Sequence, residues 1–338
     1  MGQLTESAKI ECFNQLKAVV RVFRGLPKSS DAPLALTIGN FDGVHRGHQA
    51  MLMRLIEGAE DLRLAPAVLT FEPHPREFFA PDSAPPRLST LRSKLEMFRA
   101  FGVVTTIVAR FNAKLASLSP ESFVHDVLEK GLNARWVLVG DDFRFGKGRG
   151  GDLALLRSKA RQFSVEGMRT VAVDAERASS TAIRAALAAG DLSHAAALLG
   201  RPFAMSGRVA HGDKLGRDLG FPTANIPLNR KPPLTGIFAV RVHGLGPTAR
   251  TGVASLGVRP TIKANARPLL EVFIFDFDDA IYGRRIVVEF LHKLRDEERY
   301  ADLSALTRQI HADAEQARSF FAHEEACPTI PKATTSPR

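Results

Sequence analysis

Between residues 34 and about 181, short apolar runs alternate with amphipathic stretches of helical period. The runs 34–38, 67–71, 103–109, 136–139 and 170–173 read as strands, being brief and rich in β-branched residues. Segments 91–101, 121–130 and 153–163 carry apolar residues every three to four positions, with Ser119 as N-cap and Pro120 as first helical residue of the second. Strand and helix in alternation predict crossover units, and therefore a doubly wound parallel sheet with helices on both faces. Ligands of such sheets lie beyond the carboxyl ends of the strands. The loops to inspect start at Gly39, Glu72, Gly140 and Asp174.

The pattern changes after 182–199, a helical stretch interrupted at Gly190 and Asp191. Gly200, Arg201 and Pro202 mark a boundary, and the runs 203–209, 237–242, 252–256, 269–275 and 285–291 then follow one another without helices. That spacing predicts a small antiparallel β-barrel or sandwich. Residues 302–321 return to helical period, and the last stretch, with Pro328, Pro331 and Pro337, reads as a loose tail. The predicted division is 18–185, a helical linker 186–202, a barrel domain 203–322 and a flexible tail 323–338.

Composition narrows the function classes. The 338 residues leave room for two domains at ~100–200 residues each, and no apolar run approaches the ~18 residues of a membrane span. A net charge of +10 invites a nucleic-acid reading, yet the excess divides evenly about residue 200, where one basic arm would concentrate it, and so suits a diffuse surface or several small anion sites. Cys12 and Cys327 are the two cysteines, so neither a disulfide framework nor a cysteine metal cluster is predicted. Glu6, Lys9, Glu11 and Lys17 break up the N-terminus where a secretory leader would be apolar. A cytoplasmic protein is expected, with no membrane and no nucleic-acid partner.

The first candidate chemistry stands at the end of the first strand, in Gly39-Asn40-Phe41-Asp42-Gly43-Val44-His45-Arg46-Gly47-His48. A strand passing through glycines into a helix start gathers free amide groups and a helix dipole around an anion. His45 and His48, three positions apart, share one helix face, and Gly47 leaves room for a nucleotide against the backbone. After the 170–173 strand, Ser179, Ser180 and Thr181 open a second helix, flanked by Arg177 and Arg184. Capping of that helix and a phosphate clamp are both open readings.

Four segments in order, 39–48, 70–75 (Thr-Phe-Glu-Pro-His-Pro), 139–146 (Val-Gly-Asp-Asp-Phe-Arg-Phe-Gly) and 179–184, resemble the nucleotidylyltransferase superfamily. They are most similar to the adenylyltransferase domain of bacterial bifunctional FAD synthetases. The resemblance implies a Rossmann-like fold and transfer of AMP from ATP to FMN, giving FAD and pyrophosphate. It places Gly39, Asn40, Phe41, Asp42, Gly47, His45 and His48 at the nucleotide. Arg177, Ser180, Thr181 and Arg184 fall at the β,γ-phosphates, and Asp142 on the flavin side. Ala178 departs from the pattern, where a branched aliphatic is expected.

The second constellation opens the barrel. Glycines 207, 212, 216 and 220 surround Lys214 and Arg217 in a loop that can close over a phosphate, or that is a plain wide hairpin. Thr223 and Asn225 project the same way from an extended segment and offer two hard oxygens of the kind Mg²⁺ accepts. The strings 219–226, 235–237, 252–261, 270–277 and 293–297 are similar to the riboflavin kinase domain of the same bifunctional family. That likeness implies phosphorylation of riboflavin to FMN by ATP. Glu271 would be the general base, Thr223 and Asn225 the Mg²⁺ ligands, Lys214 a phosphate contact, and Arg295 would close the flavin pocket. Arg295 to Arg299 otherwise reads as a solvated charged run. A nucleic-acid-binding protein and a flavin-storage barrel without catalysis are the competing readings, weakened respectively by the even charge and by the presence of Glu271 with Thr223 and Asn225.

Overall fold

The computed structural model describes residues 21–212, 220–258 and 268–326. The chain divides into two compact units, one running to Pro85 and taking in Ser89–Ser180, the other comprising Pro86–Leu88 and everything from Thr181.

The first unit is a six-stranded sheet in the order β1-β4-β3-β2-β5-β6, with every neighbouring pair parallel. Its strands are β1 (Arg21–Arg24), β2 (Leu34–Ile38), β3 (Ala65–Glu72), β4 (Thr105–Arg110), β5 (Ala134–Gly140) and β6 (Ser164–Met168). Side chains alternate across a strand, so β2 feeds two cores. Leu34, Leu36 and Ile38 pack with Val127, Leu128 and Leu156, and Ala35 packs with Leu52, Leu55 and Phe98 on the other face. The helices that supply those residues are α1 (Arg46–Asp61), α2 (Leu91–Ala100), α3 (Phe123–Gly131, of π type) and α4 (Leu153–Lys159). Ser119 caps the turn leading into α3 by accepting from the Ser122 amide at 3.1 Å, with Pro120 in the first turn. From β2 the chain moves outward through β3 and β4, and β5 starts again on the opposite side. The switch point between β2 and β5 is therefore where a ligand of this sheet binds.

One predicted strand is misplaced. The sheet member on the far side of β5 is β6, whereas 170–173 yields β7 (Ala172–Val173), which pairs antiparallel with β8 (Glu176–Arg177) in a separate two-stranded ribbon. Helix α4 accordingly ends at Lys159, short of the predicted 163.

Helix α5 (Ser180–Ala189), which enters the second unit at Thr181, and α6 (Leu192–Leu199) are broken at Gly190, whose φ of 79° suits glycine. Six antiparallel strands follow: β9 (Phe203–Arg208), β10 (Thr223–Pro227), β11 (Gly236–His243), β12 (Arg250–Val258), β13 (Pro268–Ile274) and β14 (Arg285–Arg295). They lie in the order β10-β13-β12-β11-β14-β9. Just past β9, Ala210 donates its amide to the Asn225 carbonyl in β10 at 2.8 Å, so the two edges of the sheet meet. Phe238, Val240, Leu256, Leu270, Val272, Ile286 and Phe290 are buried along alternating strand positions. A second apolar layer joins Ala239 and Phe275 to Ala314, Ala317 and Phe321 of the last helix, α7 (Leu303–Ala326). Because α7 runs to Ala326, the predicted tail at 323 starts inside a helix; residues 327–338 lie outside the described residues.

Candidate functional site

Beyond β2 the chain crosses the carboxyl edge of the sheet in an unusual backbone conformation. Phe41, Gly43 and Val44 take φ of 50°, 82° and 42°. Glycine tolerates that region, but a buried phenylalanine and a β-branched valine are strained in it, so neighbouring groups must hold the loop. Lys94 of α2, 3% exposed, donates from Nζ to the Asn40 carbonyl at 3.1 Å. Ser89 accepts from the Gly43 amide at 2.9 Å and donates through its own amide and hydroxyl to Asp42 Oδ1 at 3.0 and 3.1 Å. Ser180 Oγ donates to the Asp42 carbonyl at 2.9 Å, and Gln49 Nε2 to the Val44 carbonyl at 2.8 Å.

The loop delivers His45 as the N-cap residue of α1, and its imidazole does not cap the helix. The helix N-terminus thus keeps its capacity for an anion. One turn on, the His48 ring stacks on His45 with centroids 3.6 Å apart and planes inclined by 23°. A side chain at Gly47 would sit 3.2 Å from the His45 ring, which explains the glycine between the two. Two polar atoms of this loop, His48 Nδ1 and Asn40 Oδ1, are buried without a hydrogen-bond partner among the described residues. Buried polar atoms are seldom left so, and a polar ligand would complete both. Burial above all, and then the neighbouring His45 and Lys94, holds the His48 imidazole well below its ordinary pKa of 6.5, so it is neutral at pH 7.

The predicted residues separate into distinct roles here. Phe41 is wholly buried, edge-on to Phe98 and 5.0 Å from the His48 ring, and braces the histidine from the core side. Asp42 is likewise buried and directs its carboxylate to Ser89. Gly39 packs its α-carbon against the Phe41 ring and donates to the Leu69 carbonyl at 3.1 Å. Beyond β5, Asp142 forms a close ion pair with Arg177. Thr181 and Arg184 belong to the second unit, where Thr181 is exposed and Arg184 Nε donates to the Pro86 carbonyl at 2.6 Å.

In the barrel, register brings the second constellation together. Asn225 of β10 lies directly opposite Glu271 of β13, which lies opposite Ser255 of β12. Directly opposed residues share a face, so carboxamide, carboxylate and hydroxyl form one row across three strands, with Thr223 two positions along on the same side. Asn225 is buried and donates from Nδ2 to the Thr223 carbonyl at 3.1 Å, which leaves its Oδ1 as an acceptor. Lys214 lies outside the described residues, with the rest of 213–219.

The solvated-run reading of 295–299 needs correction at two places. Arg295 is mostly buried and clamps Asp313 of α7 through Nε and Nη2 at 2.8 and 2.6 Å, while Nη1 donates to the Asp296 carbonyl at 2.9 Å. Its guanidinium ties α7 to the end of β14. Glu297 lays its carboxylate across Gly257, occupying the space a β-carbon there would need. Burial and then Glu271 push its carboxyl upward, so the two glutamates belong to one electrostatic neighbourhood. Of the residues not foreseen, Lys94 left a trace: it occupies a position of the apolar stripe of α2, four residues before Phe98, where a hydrophobe is expected.

A switch-point loop leading into His-x-Gly-His, followed by a barrel that aligns Glu271 with Asn225 and Thr223, defines a nucleotidylyltransferase-type domain joined to a flavokinase-type barrel. Comparison with known proteins agrees. The FAD synthetase family model matches residues 27–182 and the riboflavin kinase model matches 199–321. A bifunctional riboflavin kinase/FMN adenylyltransferase from Escherichia coli is 46% identical over 308 residues, covering 89% of this chain and 98% of that protein. One of the same description from Pseudomonas fluorescens is 48% identical, covering 85% and 92%. Among solved structures, one described as a macrolide-efflux protein from Streptococcus pneumoniae superposes with a TM-score of 0.74 at 26% identity, over 89% of this chain and all of that one. Among the described residues no helix is long and apolar enough to cross a membrane. The chain belongs to the bifunctional riboflavin kinase/FMN adenylyltransferase family.

Proposed function

We propose that this chain phosphorylates riboflavin to FMN in its barrel and adenylylates FMN to FAD on its parallel sheet, each step consuming one ATP. The observation that carries the reading is the pairing, in one chain, of the His45/His48 stack at a helix N-terminus with the Asn225-Glu271 row across the barrel.

In the adenylyl transfer a phosphate oxygen of FMN attacks the α-phosphorus of ATP, the bond to the β,γ portion breaks and pyrophosphate leaves. No protein nucleophile takes part, so the residues act by position and charge. The α1 amides and the neutral His48, with His45 beside it, donate to phosphate oxygens. Arg177 and Ser180 hold the pyrophosphate end, and Asp142, which orients Arg177, lies on the flavin side. In the kinase step Glu271 accepts the proton of the ribityl 5′-hydroxyl as that oxygen attacks the γ-phosphorus, and ADP leaves. The Thr223 hydroxyl and the Asn225 carboxamide fit a hard divalent cation such as Mg²⁺, which when bound offsets phosphate charge. The low cysteine content and the dependence on ATP support a reducing setting, and we place both reactions in the cytoplasm.

The test is direct. Purified chain supplied with riboflavin, ATP and Mg²⁺ is expected to accumulate FMN and then FAD, followed by chromatography; formation of neither product would overturn the reading.

A further inference from the structure

We propose that Lys94 is a positioning residue of the adenylyl transfer: its buried ammonium pins the Asn40 carbonyl, and with it the left-handed loop that presents His45 and His48 to ATP. This role rests on the reading of that loop as the ATP site.

Lys94 is an odd residue for its place. A lysine 3% exposed forgoes the hydration of its ammonium, a cost that a structural position would avoid with leucine or methionine. Lys94 sits on the buried side of α2 in line with Phe98, facing the sheet, where the rest of the stripe is apolar. Its Nζ reaches across to the Asn40 carbonyl at 3.1 Å, and Thr70 Oγ1 approaches the same oxygen at 3.4 Å. Asn40 is the residue from which the strained stretch departs, since Phe41, Gly43 and Val44 all lie at positive φ. Ser89 and Ser180 hold the middle of that stretch and Gln49 its end, so Lys94 is the charged side chain among four that anchor it. A carbonyl fixed at the origin of the turn fixes where the helix N-terminus begins, and reacting groups displaced by about 1 Å lose on the order of 10²-fold in rate. The same ammonium and the neighbouring His45 are the charges that act on His48, both disfavouring its protonation. Lys94 thereby adds to burial, the main cause, in keeping that imidazole neutral.

The experiment uses the full chain. Lys94→Met keeps length and apolar volume while removing the charge, and Lys94→Gln keeps an N–H donor without it. For Lys94→Met the expected result is a 10- to 100-fold fall in kcat for FAD formation from supplied FMN, on the order of what such a displacement costs. Riboflavin phosphorylation by the same preparation should be unchanged, and the NMR titration midpoint of His48 should rise. Lys94→Gln should recover part of the lost kcat, since the bond to Asn40 can re-form. FAD formation within twofold of the parent in Lys94→Met overturns the proposal, as does equal loss of both activities or a Lys94→Gln variant no better than Lys94→Met. A His48→Ala control separates the two layers of inference: if it leaves FAD formation intact, the ATP-site reading itself fails, whatever Lys94 does.

Discussion

On the proposed reading the two sites hold a triphosphate with opposite materials. On the parallel sheet this falls to backbone and imidazole rings: a loop forced into left-handed conformation, a helix N-terminus, and two stacked imidazoles of which His48 is kept uncharged. On the barrel it is done by side chains of regular strands, lined up by antiparallel register so that Asn225, Glu271 and Ser255 form one row. The chemistry accounts for the contrast. A phosphate of FMN arrives already ionised and needs no base, so the first site requires shape and charge complementarity. A hydroxyl must lose a proton to become a nucleophile, so the second needs a carboxylate aimed at it.

If that contrast holds, the largest separation of activities comes from Glu271→Gln. General-base removal costs about 10²–10⁴-fold, so FMN formation should fall into that range while FAD formation from supplied FMN stays at the parent rate. A comparable loss of both would erase the distinction. The converse variant, His48→Ala, should reduce FAD formation by about 10²–10³-fold, the scale of a preorganised donor lost from a phosphate site, with kinase turnover intact.

What was legible in the sequence follows the same divide. The grouping of His45, Gly47 and His48 could be read because it is local, three positions of one helix start, and the shared face of Thr223 and Asn225 because alternation on a strand is local too. Asn225 opposite Glu271 is a fact of register between segments far apart in the chain, which periodicity does not encode. Ser89 and Lys94 are hidden for a related reason, since they act on a loop some fifty residues earlier. The segment 170–173, Thr-Val-Ala-Val, has the composition of a buried strand and yet ends in a small ribbon. The true edge strand β6, Ser-Val-Glu-Gly-Met, is only partly covered and so has no need of a continuous apolar run. Glu297 is concealed inside a charged run, its position revealed only by what it displaces at Gly257.

The barrel's dependence on side-chain pairs gives a third, smaller separation. Arg295 and Asp313 form a bidentate pair with Asp313 almost wholly buried, and breaking such a pair by removing one partner costs about 3–5 kcal/mol. Arg295→Met should therefore lower the denaturant midpoint of the barrel by that equivalent. Combined replacement with Asp313→Leu should regain much of it, because an apolar pair leaves no stranded charge. A single-variant loss below about 1 kcal/mol would mean that the clamp contributes little to holding α7.

The parallel-sheet unit should instead show its character in acid. His48 has a folded-state pKa well below 6.5, so between that lowered value and 6.5 the unfolded chain binds a proton that the folded chain does not. Stability therefore rises with pH across this window: the histidine costs nothing above 6.5 and progressively more as pH falls from 6.5 towards the folded value. Replacing His48 by Asn removes the titrating group, so the drop in melting temperature between pH 7 and pH 5 should be smaller in His48→Asn than in the parent. Each tenfold difference in proton affinity between the folded and unfolded chain corresponds to about 1.4 kcal/mol, or a few degrees in a domain of this size. An identical acid dependence in the two proteins would place the neutral imidazole, and with it the backbone-and-ring character of the first site, in the wrong protonation state.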